Sequence, residues 1–270
     1  MTTQATIAFL GGGNMATALA GGLLKQGIDP ARICVAEPLP QRRKALETLL
    51  AGVTVISDNG LATANAHLVV VAVKPGVVDK VLGEVASRLA PQAVVLSIAA
   101  GVSLERLAAR LPPGQALIRA MPNTPALIGA GITVLCPRPD VAEPQLELAC
   151  SVMKAAGEVA VIRDEGLMDG VTALSGSGPA YVYLMAEALS DGGVACGLPR
   201  ELADRLAVQT LIGAGRLLAE SGQHPGVLKN QVTSPGGTTI AGLGALERAG
   251  VRGGLMEAVR AAWIRSRELN

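Results

Sequence analysis

The segment IAFLGGGNMA at residues 7–16 decides the fold of this chain. Its apolar first half predicts a buried strand, and residues 15–26 predict a helix. Between them, the pattern G-x-G-x-x-A supplies a tight turn at Gly11, close approach of a pyrophosphate at Gly13, and close packing of helix on strand at Ala16. The start of the helix adds unpaired N–H groups and a positive dipole. The segment therefore predicts a dinucleotide-binding unit.

An acidic residue follows at the distance that this motif requires. Glu37 ends the second predicted strand, residues 32–36, where a carboxylate accepts hydrogen bonds from the adenosine ribose. A carboxylate there repels a 2′-phosphate and favours NADH. Arg42 and Arg43 lie just beyond it, and they either pair with that phosphate or are solvated charges on a helix. The sequence leaves the choice between NADH and NADPH open.

The rest of the first half continues the alternation of strand and helix. Further strands are predicted at residues 53–56, 67–73, 93–98, 116–121 and 132–136, with helices at residues 41–51 and from Pro75 onward. Residues 67–73 are apolar without alternation, which is typical of a parallel strand buried on both faces. Strands separated by helical stretches predict right-handed crossovers and a doubly wound sheet.

From Asp164 onward the sequence predicts helices and no strand. The helical patterns cover residues 180–196, 200–221, 238–249 and 255–269, and His224-Pro225 begins a further helix. A helical domain this short often completes its core across a subunit interface. The predicted fold class is therefore α/β, with an N-terminal Rossmann-type doubly wound sheet at residues 1–162 and an all-α dimerisation domain at residues 163–270.

Composition narrows the classes of function. Hydrophobic residues make up 50% of the 270 and charged residues 17%, so extended disorder is excluded. A net charge of +1 and only one Trp, two Tyr and one Phe give neither a basic face nor stacking platforms, so no nucleic-acid partner is predicted. We find no secretory signal, membrane span or metal-ligand cluster. Four widely spaced cysteines are typical of a reducing compartment, and we expect a cytoplasmic protein.

Three segments follow predicted strands, where an open α/β sheet binds ligands. VKP at residues 73–75 follows the fourth strand, AAG at residues 99–101 the fifth, and MPNTP at residues 121–125 the sixth. The last segment is either a wall for the nicotinamide ring or a loop shaped by its prolines. Lys74 is either a phosphate or ribose contact or a solvated residue at a helix start.

Two segments of the second half place glycines and hydroxyl-bearing residues ahead of helices, LSGSGPAY at residues 174–181 and TSPGGTT at residues 233–239. Each predicts an anion-binding cup of free N–H groups and hydroxyls. N-capping by Ser or Thr explains a hydroxyl but not the glycines, and a small carboxylate suits the second cup. No strand precedes the first segment, so a nucleophile elbow is not predicted.

Together, these segments resemble the pyrroline-5-carboxylate reductase family. The resemblance covers nearly the whole chain and rests, in order, on residues 9–16, 71–75, 121–126, 174–181 and 233–243. It implies hydride transfer from NADPH or NADH to the C=N carbon of 1-pyrroline-5-carboxylate, giving L-proline in the last step of proline biosynthesis. It also implies homodimers through intertwined helical domains, often five of them in a decamer, with helices of the partner completing the active site.

The resemblance also assigns site residues. Together with Glu37 and Asn123, the cofactor-binding residues are Leu10, Gly11, Gly12, Gly13, Asn14, Met15, Asn59, Ala72, Val73, Lys74, Pro75, Ala99, Ala100 and, from the second domain, Glu165. The substrate-binding residues are Ser234, Gly236, Gly237, Thr238 and Thr239. The Thr239 hydroxyl is placed nearest the ring nitrogen and is the catalytic assignment. The chain departs from the family at Glu37, where NADPH-using members commonly have a hydroxyl residue, and at Asn230-Gln231, where an Asp-led pair is frequent.

The scarcity of acid–base residues agrees with imine reduction. Beyond the predicted boundary the sequence contains one lysine, Lys229, and one histidine, His224. A cyclic imine carries its own ionisable nitrogen, so it needs binding and orientation more than a proton shuttle. The alternatives are a hydroxyacid dehydrogenase with Lys229 as its acid–base group, a non-catalytic nucleotide sensor, and an S-adenosylmethionine-binding methyltransferase.

Overall fold

Ile7–Leu10 forms the strand from which the sheet is built, and all four of its side chains are buried. A computed structural model of the chain describes residues 4–269. The strands of its sheet are β1 Ile7–Leu10, β2 Ile33–Ala36, β3 Thr54–Ile56, β4 Leu68–Val71, β5 Val94–Ser97, β6 Ala116–Met121, β7 Gly131–Pro137 and β8 Gly157–Val161. They lie in the order β3-β2-β1-β4-β5-β6-β7-β8.

The first six strands are parallel, which confirms the doubly wound sheet. Strand order reverses between β1 and β4, and ligands of open α/β sheets bind at such a switch point. Strand β7 runs antiparallel to β6, and β8 is parallel to β7. The connection from Met121 to Gly131 is too short for the crossover that a parallel neighbour needs.

The core lies on both faces of this sheet, as the apolar run at residues 67–73 predicts. Side chains alternate along each strand. Leu68 and Val70 pack into the cluster on one face, whereas Val69 and Val71 pack into the cluster on the other. Helices therefore cover both faces, and every residue of β4 is buried.

The helices of the first half connect these strands, and those of the second half follow them. Their bounds are α1 Asn14–Lys25, α2 Pro40–Leu49, α3 Asn59–Thr63, α4 Val78–Val85, α5 Leu104–Ala108, α6 Glu143–Met153, α7 Met168–Val171, α8 Gly178–Ala195, α9 Arg200–Ser221, α10 Pro225–Gln231, α11 Thr238–Arg248 and α12 Val251–Leu269. None of the helices in residues 4–269 has the length and hydropathy needed to cross a bilayer.

The chain divides into two compact units. The first contains the residues up to Gly176 together with those from Ala262 onward, and the second contains Ser177–Ala261. Helix α7 belongs with the sheet because the buried side chain of Met168 packs against Val134 of β7. The domain boundary between residues 162 and 163 stays a prediction.

The second unit consists of helices with many apolar side chains at their surface. Its buried side chains include Ala203 and Ala207 of α9. Leu184 is 65% exposed, Leu206 49% and Met256 69%. Exposed apolar surface of this extent indicates an interaction surface rather than a surface that faces solvent.

Candidate active site

The glycine turn between β1 and α1 has the conformation that its sequence predicts. Gly11 has a φ of +98°, and its N–H donates to the Ala36 carbonyl oxygen at an N–O distance of 2.8 Å. A Cβ atom at Gly11 would lie 2.8 Å from the carbonyl oxygen of Ala72. A Cβ atom at Gly13 would meet no protein atom within 4 Å. Gly11 thus serves the fold, whereas the space at Gly13 is open to a ligand.

The start of α1 adds the donors that a diphosphate needs. Gly13 is the N-cap, and no side chain caps the first turn. The first-turn N–H groups, including those of Asn14 and Met15, therefore lack a side-chain acceptor beside the open space at Gly13. Together with the helix dipole they form a cradle for an anion. The loop and the helix start thus fit the diphosphate of NAD(P)H.

Glu37 lies at the end of β2, on the side of the glycine turn where the ribose is predicted. Its carboxylate is buried, with 8% of the residue exposed. Oε2 accepts the Gly12 N–H at 3.0 Å between N and O, and Oε1 accepts the Leu39 N–H at 2.9 Å. The carboxylate is therefore fixed against the glycine turn while its remaining lone pairs can accept ribose hydroxyls.

Arg42 and Arg43, whose roles the sequence leaves open, are half-buried and bound to the protein. Arg42 donates from Nε to the Gly12 carbonyl oxygen at 2.8 Å and from Nη2 to Thr17 Oγ1 at 3.0 Å. Arg43 donates from Nη1 to the carbonyl oxygens of the two residues at 37 and 38, at 2.9 and 2.8 Å. Neither arginine is a freely solvated charge.

The other predicted cofactor residues lie mainly on the loops after β4, β5 and β6 of the first unit. Ala72, Val73, Lys74 and Pro75 follow β4, and Ala99 and Ala100 follow β5. Lys74 is exposed at the start of a 3-10 turn, where no side chain caps the backbone. Asn123 accepts the Ile132 N–H through Oδ1 at 3.0 Å and so holds its own loop. Asn59 begins α3 and donates from Nδ2 to Glu84 Oε2 at 2.9 Å. Their contacts with a cofactor stay predictions.

Glu165 lies in the first unit, is partly exposed, and forms an ion pair with a buried arginine that the sequence analysis missed. Its Oε1 is 2.7 Å from Nη1 of Arg119, a buried residue of β6, and it also accepts the Leu104 N–H at 2.8 Å. Leu104 begins α5, the helix after the AAG loop at residues 99–101. Burial, followed by the charge of Glu165, raises the pKa of the neighbouring Cys136 thiol. A single charged residue within the apolar strand sequence ALIRAM was the available signal for Arg119.

The predicted substrate cup occupies the start of α11 in the second unit. Gly236 has a φ of +65°, and Gly237 is the N-cap with no side-chain hydrogen bond to the first turn. A Cβ atom at Gly237 would collide with the Ser234 hydroxyl. The N–H groups at Thr238 and Thr239 thus begin a helix whose start is accessible to a small anion.

The neighbouring polar residues have structural partners. His224 is the N-cap of α10, where Nδ1 accepts the Gly226 N–H at 3.1 Å. Lys229 Nζ lies 3.2 Å from Asn230 Oδ1. The segment at residues 174–181 includes a π-helical turn, Thr172–Gly176, in which Ser175 donates to the Val171 carbonyl oxygen at 2.9 Å. A helical turn, and not a strand, thus precedes Gly178 and the start of α8.

The sheet topology, the open glycine turn and the fixed carboxylate define an NAD(P)-binding protein of the Rossmann type. A family model described as pyrroline-5-carboxylate reductase dimerisation matches residues 165–269, and one described as NADP oxidoreductase, coenzyme F420-dependent, matches residues 6–101. The chain belongs to the pyrroline-5-carboxylate reductase family. This confirms the resemblance and the fold class, and the dimerisation model supports a homo-oligomer.

Relatives match over nearly the whole chain. The pyrroline-5-carboxylate reductase of Synechocystis is 47% identical over 97% of both chains, and that of Escherichia coli is 39% identical over 98% of both. A solved pyrroline-5-carboxylate reductase from Coxiella burnetii has a TM-score of 0.95 at 38% identity, covering 99% of both chains. The NADP-bound Plasmodium falciparum enzyme has a TM-score of 0.87 at 31% identity, covering 100% of this chain and 99% of that one.

Proposed function

We propose that this chain reduces 1-pyrroline-5-carboxylate to L-proline with NAD(P)H, the last step of proline biosynthesis. The reaction adds a hydride to the C=N carbon and a proton to the ring nitrogen. Membership of the reductase family supports the reaction. In Ser177–Ala261 the only histidine is His224, which caps α10, and the only lysine is Lys229, which contacts Asn230; so few acid–base groups agree with a substrate that carries its own basic nitrogen. The observation that carries the proposal is the uncapped, glycine-built start of α11.

The residues of the first unit divide the binding of the cofactor. The turn from Leu10 to Met15 holds the diphosphate, and Glu37 accepts hydrogen bonds from the ribose hydroxyls. The loops after β4, β5 and β6 line the rest of the cofactor. When bound, the reduced nicotinamide supplies the hydride. Glu165 positions the start of α5 through the Leu104 N–H and thereby the preceding Ala99-Ala100 loop.

The residues of the second unit bind and orient the ring. The N–H groups that begin α11, with Gly236 and Gly237 removing side chains in front of them, bind the ring carboxylate. Ser234 adds a hydroxyl to this cup. The Thr239 hydroxyl forms a hydrogen bond with the ring nitrogen, as donor to the imine or as acceptor from its protonated form. This bond fixes which face of the C=N bond receives the hydride. Orientation of this kind contributes to rate without a general base.

The assay follows the absorbance of the reduced nicotinamide in the presence of the imine. We expect Thr239→Ala to lower kcat by about tenfold to a hundredfold, since it removes an orienting hydroxyl, while the Kd of the cofactor stays within about twofold. Thr233→Ala is the matched control, because its hydroxyl donates to the Lys229 carbonyl oxygen at 2.7 Å. Unchanged kcat in Thr239→Ala, or no imine reduction by the wild-type chain, would contradict the proposal.

We further propose that the second unit forms a homodimer and that five such dimers assemble into a decamer. We also propose that the protein works in the cytoplasm. The exposed apolar side chains of α8, α9 and α12 support the dimer. The cysteines at 34, 136, 150 and 196 are free thiols, which supports a reducing compartment. Sedimentation equilibrium distinguishes a dimer from a decamer by mass.

A further inference from the structure

We propose that Glu37 makes this chain select NADH over NADPH. The inference rests on the proposed function and deepens it, because it names which cofactor the same site takes. The two cofactors differ by one phosphate on the 2′-oxygen of the adenosine ribose. That oxygen is the group that faces an acidic residue at the end of the second strand. Selection therefore depends on whether the carboxylate can move away and on what else surrounds it.

The Glu37 carboxylate cannot move away without breaking two hydrogen bonds. It accepts N–H groups from Gly12 and Leu39, on either side, at 3.0 and 2.9 Å. The fit is also tight, because a Cβ atom at Gly12 would lie 3.2 Å from Glu37 Oε2 and would collide with Leu46. A fixed carboxylate accepts the 2′-hydroxyl of NADH through a free lone pair. It repels a 2′-phosphate, since like charges brought together at a contact disfavour binding.

The loop that follows Glu37 offers no backbone donors to a phosphate before α2 begins. Pro38 and Pro40 have no N–H. The Leu39 N–H is taken by Glu37 itself, and the Glu37 N–H donates to the Ile56 carbonyl oxygen at 2.8 Å. A 2′-phosphate placed here would lose hydrating water without gaining these donors.

The two arginines hold the loop that carries the carboxylate. Arg42 donates to the Gly12 carbonyl oxygen, and Arg43 donates to the carbonyl oxygens of Glu37 and Pro38. These bonds brace the two peptide groups that follow Glu37 and the Gly12 peptide group of the glycine turn. Beside Glu37, the outer guanidinium N–H groups of these arginines and the first turn of α2 stay available as donors, and both adjoin a fixed negative charge. The geometry therefore favours the hydroxyl over the phosphate.

Calorimetric titration of the full-length protein with NADH and with NADPH, without the imine, tests the proposal. We expect the Kd of NADH to be about tenfold lower or more. Glu37→Gln removes the charge and should narrow the ratio of the two Kd values about fivefold or more, mainly by tightening NADPH. Glu37→Asp keeps the charge and should keep the order of preference. Thermal unfolding checks that each variant folds.

The salt dependence of the ratio of the NADPH Kd to the NADH Kd distinguishes repulsion of the 2′-phosphate from attraction, because the ratio changes in opposite directions in the two cases. Raising the ionic strength screens the repulsion from Glu37, so the ratio of the NADPH Kd to the NADH Kd should fall. If Arg42 or Arg43 instead bound the 2′-phosphate, the ratio would rise with salt, and Arg43→Gln would weaken NADPH alone. This result overturns the proposal, as does a wild-type Kd for NADPH at or below that for NADH. Both wild-type measurements hold even if a Glu37 variant fails to fold.

The titrations contain no imine, so they separate this proposal from the proposed function. Selective NADH binding without imine reduction would overturn the proposed function and leave the selectivity in place. Imine reduction with a preference for NADPH would overturn the selectivity proposal and leave the proposed function in place.

Discussion

Arg119 is buried within β6, and its guanidinium is paired with a carboxylate from outside the sheet. Its side chain is 5% exposed, and Glu165, at 30%, supplies the opposite charge at 2.7 Å. The same carboxylate oxygen receives the first N–H of α5. One side chain thus compensates a buried cation and an orphan helix donor, which makes it a structural residue as well as a predicted contact of the cofactor.

Removing this carboxylate should destabilise the first unit. We expect Glu165→Ala to lower the free energy of unfolding by about 2–3 kcal/mol, because the charge of buried Arg119 loses its partner while the partial exposure of Glu165 gives water some access to it. Urea denaturation followed by circular dichroism measures the change. Glu220→Ala, which removes the partner of exposed Arg216 on α9, is the control, with an expected effect below about 1 kcal/mol. Equal losses in the two variants would show that the buried pair has no special role.

At the scale of elements, two glycines of the turn from β1 to α1 have different roles: Gly11 is needed for the fold, and Gly13 is needed for binding. Gly11→Ala should destabilise the fold by about 2 kcal/mol or more, because its φ is +98° and the added Cβ atom meets the Ala72 carbonyl oxygen. Gly13→Ala should lower the thermal midpoint much less than Gly11→Ala, since its Cβ atom enters open space and only the N-cap preference for glycine over alanine is lost.

The same pair of variants should separate stability from binding. Gly13→Ala should raise the Kd of the reduced cofactor about tenfold, because its methyl group occupies space beside the diphosphate donors. Differential scanning fluorimetry with and without cofactor measures both quantities. A Gly13→Ala protein that binds as tightly as the wild type would place the diphosphate elsewhere.

The sequence predicts elements best where the pattern and its physical cause coincide. The buried run of β4 and the glycine turn follow from local spacing, and helix α9 has the predicted bounds, 200–221. Strand β8, GEVAV, was missed because its apolar run at residues 159–161 is too short to identify a strand by itself, and most of the strand is exposed in the structure. The short helices α3 and α5 were missed because one turn is too short for a periodic signal.

The site was predictable only as far as its local motifs reach. Glu37 was found because its distance from the glycines is fixed by one strand and one helix. The roles of Arg42 and Arg43 depend on carbonyl oxygens presented by the folded turn, and no spacing rule supplies those. Arg119 and Glu165 lie far apart in sequence, so only the folded sheet brings them together.

At the scale of the molecule, the helical unit leaves apolar side chains that a partner is expected to cover. Leu206 and Ile212 of α9 are each 49% exposed. We expect Leu206→Glu to shift the homo-oligomer toward monomer, because a desolvated charge in an interface lacks a partner. Sedimentation velocity measures the shift. Leu49→Glu, at the end of α2 and 61% exposed, is the matched control and should not alter assembly.

Because the end of helix α12 belongs to the first unit, the order in which the chain is synthesised affects when that unit can finish folding. The last residues of α12 belong to the first unit, where Ser266 Oγ lies 2.7 Å from Asp169 Oδ1. Domains generally fold as they emerge from the ribosome, the N-terminal one first. Here the first unit is built from two parts of the chain, and the second part is translated after the helical unit. A nascent chain stalled anywhere within the helical unit therefore carries a first unit that still lacks the last turns of α12 and their contact with α7.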